Sequence, residues 1–176
     1  ILEEIPQQTV SLRSTDFPIR IRDHQGKDTI LLLELQSYWK EDKVRDLIEY
    51  KMRFYKKYNL PIQSCMILLN KNGNATDHYK DEEIDFSFTL VKLWELDPDE
   101  IIKKSLFQLF PFVPLMKKGV SFVDSIDKRI YTENIEGSLK SDLLTALTFF
   151  SGMRDKSLAA TLLERRRDLM IESPVY

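Results

Sequence analysis

Apolar and polar positions alternate along the first part of the chain and then change to a helical period. Residues 9–22 carry the pattern of a strand, with Val10 and Leu12 on one side, then Phe17, Ile19 and Ile21 after a break near Asp16-Phe17-Pro18. Pro18 has no backbone donor for a ladder, which puts this strand at a sheet edge or a bulge. Asp23-His24-Gln25-Gly26-Lys27-Asp28 is polar and contains a glycine, the chemistry of a hairpin loop. Residues 29–36 then read as a central strand, apolar on both faces until its end. Side chains on a strand alternate between faces. Glu34 and Gln36 therefore share a face with Ile30 and Leu32, while Leu31, Leu33 and Leu35 take the other. Over residues 41–58 the period is that of a helix, with Val44, Leu47, Ile48, Met52 and Tyr55 as its apolar face. Arg45, Glu49 and Arg53 lie in register on its solvent side.

Asn59-Leu60-Pro61 stops that helix. Residues 62–69 form a further buried strand, and a turn follows over residues 70–74. Residues 84–96 alternate as another strand, with Phe86, Phe88, Leu90 and Trp94 spaced in twos. The order strand, strand, helix, strand, strand predicts a mixed sheet with a helix packed on it. Beyond Asp97 the character is helical. A short helix starts at Pro98, a loop runs through Phe110-Pro111-Phe112-Val113-Pro114, and two longer helices reach about residue 171. The expected class is α/β: a sheet-bearing part over residues 1–97 and a helical part over residues 98–176 packed on the same domain.

Composition narrows the setting. A length of 176 residues supports one domain with a proper core and is short for two. No apolar run approaches the roughly 20 residues of a membrane helix, so no membrane partner is expected. Cys65 is the only cysteine, which excludes an internal disulfide and points to a reducing, cytoplasmic setting. It lies in the apolar run Cys65-Met66-Ile67-Leu68-Leu69 and reads as core rather than nucleophile. No secretory signal is visible. The net charge of −2 lacks the basic excess of a dedicated DNA binder, so DNA affinity would rest on local patches and weaken at physiological salt. That weighs less against an enzyme whose metal ions meet the phosphate.

A glutamate at the end of an apolar central strand is costly unless it is solvated, paired or bound to a metal. Asp16 lies on the preceding strand of the hairpin. Two carboxylates converging at a strand end make an oxygen site for magnesium, with waters completing its octahedron. Such a metal lowers the pKa of a bound water and stabilises charge on a phosphate. The same residues have plainer uses: Asp16 as a turn residue before Pro18, Glu34 as an ion-paired strand end, Gln36 as a polar exit from the strand. His24 and His78 have no partners at metal-ligand spacing. Tyr38, Trp39 and Tyr50 read as packing around the helix start, with stacking on bases as their other use.

The run from Thr15-Asp16 through Gly26 to Leu32-Leu33-Glu34-Leu35-Gln36-Ser37 resembles the active-site hairpin of the Rpn family, recombination-promoting nucleases also described as transposases. The likeness continues through Tyr50 to Leu60-Pro61, Leu93-Trp94-Glu95-Leu96, Pro111-Phe112-Val113-Pro114-Leu115 and Glu172-Ser173-Pro174-Val175-Tyr176. That family belongs to the PD-(D/E)xK superfamily. The resemblance implies a restriction-endonuclease-like mixed sheet flanked by helices, with residues 1–97 as the nuclease core. It also implies metal-dependent cleavage of DNA phosphodiesters. Asp16 is similar to the motif's aspartate and Glu34 to its central acid, both as ligands of Mg2+, with Mn2+ as substitute. Gln36 stands where the superfamily usually has lysine and can only hydrogen-bond. Either a cation from the helix supplies the missing charge, with Lys43 and Arg45 the nearest and Arg45 the match to the family's helix arginine, or a second metal covers it. Glu3 or Glu4 corresponds to the extra N-terminal acid of many relatives.

The expected function is therefore a magnesium-dependent DNA endonuclease, linked by resemblance to recombination or transposition, with Asp16, Glu34, Gln36 and Arg45 as its catalytic set. The alternative is a degenerate nuclease fold kept as a DNA-binding or protein-interaction module. A third reading is an assembly domain, including a homo-oligomer, that uses an exposed Phe-Pro-Phe-Val-Pro loop or the Arg165-Arg166-Arg167 helix.

Overall fold

The computed structural model describes residues 17–171. The part of the predicted first strand before Phe17 lies outside them. β1 (Phe17–Arg22) and β2 (Asp28–Gln36) form an antiparallel hairpin, in register from Phe17↔Leu33 to Arg22↔Asp28. The loop between them closes on Asp23, whose carboxylate accepts from the backbone N–H groups of Gln25 and Lys27, both at 2.9 Å. Gly26 has φ 80°, a conformation that favours glycine. This register puts Arg20 and Arg22 on the face of Asp28, and both guanidiniums pair with it. Every residue of β1 is exposed, and among the described residues β1 is the outer strand of a four-stranded sheet ordered β1-β2-β3-β6.

α1 (Glu41–Tyr58) has the predicted bounds. Its buried side is Val44, Leu47 and Tyr50, whereas Met52 and Tyr55 are 60% and 52% exposed. The true stripe descends from Val44 and Leu47 through Tyr50 to the half-buried Phe54, so the helix is rotated relative to the expected face. Asn59 ends it in the left-handed region, donating its N–H to the Tyr55 carbonyl at 2.8 Å. β3 (Ile62–Leu68) carries Cys65 and Met66 into the core. Burial raises the Cys65 thiol pKa, in keeping with a packing role.

The single strand expected over residues 84–96 is broken. β4 (His78–Lys80) and β5 (Asp85–Ser87) form a separate two-stranded sheet. Phe88 donates to the Asp77 carbonyl at 3.0 Å, and β6 (Thr89–Lys92) then joins the main sheet. Residues Leu93–Glu95 form a 3-10 turn. Side-chain alternation survives the break, with Phe86 and Phe88 both buried and their rings stacked at 5.6 Å. Periodicity reports which face a residue takes, not which strand it pairs with.

The chain divides into two compact units: Ile1–Ile67 with Asn72–Val91, and Leu68–Lys71 with Lys92–Tyr176. The first holds the hairpin, α1 and most of both sheets. The second contains α2 (Asp99–Lys103), a 3-10 stretch over Phe107–Leu115, α3 (Val123–Thr132), α4 (Gly137–Gly152) and α5 (Lys156–Met170). Three longer helices thus stand where two were expected. Extended Glu133 ends α3, and Asp155 starts α5 by accepting from the Ser157 N–H at 2.8 Å.

The Phe-Pro-Phe-Val-Pro segment is not an exposed loop. Phe110 and Val113 are fully buried and Leu115 nearly so, because its apolar residues outweigh what two prolines suggest. Arg154 fixes it from α4's end, donating to the carbonyls of Leu69 at 2.9 Å and Leu115 at 3.2 Å. Arg165 and Arg166 also turn inward, onto the fully buried Asp127 of α3. They are not a free basic surface. No described helix is long and apolar enough to cross a membrane.

Candidate functional site

Glu34 lies near the end of β2, 5% exposed, on the face it shares with Ile30 and Leu32. α1 packs on β2, and its first turns bring Lys43 toward this acid. The Lys43 ammonium pairs with Asp46 at 2.9 Å. That hydrogen bond holds it above the usual lysine range, and the charge of Glu34 adds to the effect. Gln36 Nε2 donates to Glu34 Oε1 at 3.0 Å. A buried carboxylate, an amide hydrogen-bonded to it and a protonated lysine therefore share one end of the sheet.

This arrangement bears on the missing lysine at position 36. Lys43, from the helix, provides a cation that the Gln36 amide cannot. Arg45 is two residues further along α1, about 200° around its axis. It is exposed, pairs with Glu41 and sets its guanidinium 5.9 Å from the centre of the Tyr79 ring. Hydrogen bonds to Tyr79 and Glu41 raise its already high pKa. Lys43 and Arg45, weighed together from the sequence, thus serve different places.

Asp16, Glu3 and Glu4 lie outside the described residues, as does any geometry between Asp16 and Glu34. Among the described residues no group of three His, Cys, Asp or Glu side chains is placed to hold a metal. Magnesium takes only one or two carboxylates and completes its shell with water. Glu34 is of the right hard-oxygen chemistry for one of them. Asp46 and Tyr50 were not recognised from the sequence as part of this centre. The (i, i+3) spacing of Lys43 and Asp46 is the signal that pairs them, but only the packing of α1 on β2 brings the pair toward Glu34. Tyr50, read as packing, is indeed buried, at 5% exposure.

His78, set aside from the sequence, begins β4. Its Nδ1 lies 3.0 Å from Ser87 Oγ and its Nε2 3.5 Å from Asp85 Oδ1. All three are exposed and sit across one β4–β5 pair, an arrangement that cross-strand packing accounts for.

Comparison of the chain with models of known families, with characterised proteins and with solved structures finds no match.

Proposed function

We propose that this chain is a divalent-metal-dependent DNA endonuclease of the PD-(D/E)xK type, resembling the Rpn family. The observation that carries the reading is Glu34, a carboxylate held in an apolar strand with Gln36 hydrogen-bonded to it and the Lys43 ammonium nearby. Burying a carboxylate there is costly, and such groups persist where they serve a function. The hairpin, the α1 helix against β2 and the mixed four-stranded sheet are in keeping with a restriction-endonuclease-like core.

In this reading Glu34 and Asp16 hold Mg2+ or Mn2+. The ion, when bound, supplies an activated water and neutralises charge on the phosphate. Gln36 orients the Glu34 carboxylate through its amide. Lys43 provides positive charge for the phosphate oxygens, and Asp46 fixes its position. Supercoiled-plasmid nicking tests the assignment. Magnesium or manganese supports cutting by the native protein, and a chelator abolishes it. Glu34→Ala removes the activity, while Lys43→Ala lowers it by about 100-fold, the scale of losing one donor that stabilises developing charge. A Glu34→Ala protein as active as the native one overturns the reading.

One observation favours a second reading. The Gln36 amide hydrogen-bonds Glu34 Oε1 but brings no positive charge to the strand end, where the superfamily usually has lysine. A non-catalytic DNA-binding or protein-interaction module would keep this contact and bind without cutting, with or without Glu34.

A further inference from the structure

A cavity of about 380 Å³ lies beside the first turn of α1, lined by Trp39, Val44, Thr76, His78, Tyr79 and Asp81 among others. It falls in the size range of small-ligand sites. Trp39 follows Gln36 by three residues, and Val44 adjoins Lys43, so the cavity shares its supporting segment with the acidic centre. The backbone of Trp39 is fixed on both sides by one residue. Its N–H donates to Asn72 Oδ1 at 2.9 Å, and Asn72 Nδ2 donates to its carbonyl at 3.2 Å. The indole N–H is left buried without an acceptor among the described residues. A buried donor in that state is costly and calls for an explanation. Tyr79 is also held, its hydroxyl donating to Asp81 Oδ2 at 3.2 Å while Arg45 stands against its ring.

We propose that this cavity receives an unpaired base of a DNA single strand, stacked on Trp39, while the strand's phosphates pass the Glu34–Lys43 centre. The proposal rests on the nuclease reading of that centre and names its substrate class: DNA with a single-stranded segment. Every base has a flat π face for an aromatic ring, so such a site tolerates sequence. A base stacked inside a duplex presents neither face. The mixed charges around the cavity, with Asp81 and Glu41 beside Lys80, suit a base better than a row of phosphates.

The test measures binding without cutting, in EDTA, by fluorescence anisotropy of labelled hexathymidylate and of an abasic hexamer with the same backbone. The native protein binds hexathymidylate about 5- to 150-fold tighter, the worth of one stacked base. Trp39→Ala loses that preference and binds the abasic hexamer as before, which also shows that the variant is folded. Trp39→Phe keeps most of the preference. Equal binding of the two hexamers by the native protein, no binding of either, or an undiminished preference in Trp39→Ala overturns the proposal. Plasmid nicking separates this from failure of the reading beneath it. Glu34-dependent cutting without base preference removes the cavity proposal alone, whereas cutting independent of Glu34 removes the nuclease reading.

Discussion

Asp127→Ala is the perturbation whose cost the structure specifies most fully. Asp127 is fully buried on α3 and accepts from Arg165 Nη1 at 3.0 Å and from Arg166 Nε and Nη2, each at 3.0 Å. Counting three charged hydrogen bonds at about 1.5–3 kcal/mol each would overstate the loss, since the two arginines retain other partners. Arg165 is 35% exposed and keeps Asp124 at 3.1 Å, so it recovers much of its share from water and that acid. Arg166 is only 13% exposed. Its remaining partner is the Tyr131 ring, 3.9 Å from the guanidinium carbon. Most of the cost therefore comes from one nearly buried cation left without its anion, about 3–5 kcal/mol. For a chain of this size that lowers Tm by about 6–20 °C. Thermal melting followed by far-UV circular dichroism reads it, because α3, α4 and α5 carry much of the helical signal. Arg165→Ala should cost less than Asp127→Ala. The combined Asp127→Leu, Arg166→Met protein should regain most of the loss, since an apolar pair of similar volume avoids the desolvation altogether. A Tm change under about 2 °C for Asp127→Ala would mean that Arg166 is not left as an uncompensated buried cation.

Two further perturbations test the packing and the electrostatics. A Cβ on Gly119 would stand 1.7 Å from the Val113 carbonyl oxygen, which is backbone and cannot swing aside. Gly119→Ala should therefore cost at least about 3 kcal/mol, read as a lower urea midpoint, while Gly137→Ala, with nothing within 4 Å, should stay within about 1 kcal/mol of the native protein. A Gly119→Ala midpoint equal to the native one would contradict the close approach. Hydrogen bonds from Arg22 and Arg20 hold the Asp28 carboxyl well below the usual carboxylate range. A pKa depressed in the folded state contributes stability above the unfolded value of about 3.9, lost as pH falls from there toward the folded pKa. The Tm gap between native protein and Asp28→Asn should thus be widest near neutrality and close below about pH 4; a gap constant with pH would count against it.

Particular residues show where sequence reading succeeds and where it stops. The bounds of α1 were legible because the period changes after the β2 strand and Pro61 forbids continuation. Its buried face was misjudged because Met52 with Tyr55 and Tyr50 with Phe54 both fit an apolar stripe; only the position of β2 selects between them. The shared face of Glu34 and Gln36 followed from alternation alone and is present. That Lys43 rather than Arg45 approaches Glu34 depends on helix rotation, a tertiary property. Helical spacing places Asp127, unlike the solvated Asp124, on the apolar stripe of Val123, Ile126 and Ile130, but its pairing with Arg165 and Arg166 of α5 is a tertiary property. The buried Phe-Pro-Phe-Val-Pro stretch shows the reverse error: proline was read as surface chemistry although its neighbours are apolar.

The hairpin margin carries a consequence for the chain's behaviour in company. β1 exposes Phe17, Ile19 and Ile21 on the face opposite Arg20 and Arg22. An outer strand with such a stripe is a template on which another copy's strand can zip. Two features oppose that. Pro18 interrupts the row of donors, and any second β1 laid alongside would crowd four guanidiniums into one short ladder. Both arginines are anchored by Asp28, so their charge stays beside the strand instead of drifting away. The cluster that tightens the hairpin thus also acts as its gatekeeper, and neutralising it would trade the fold's margin for a path to insoluble fibres.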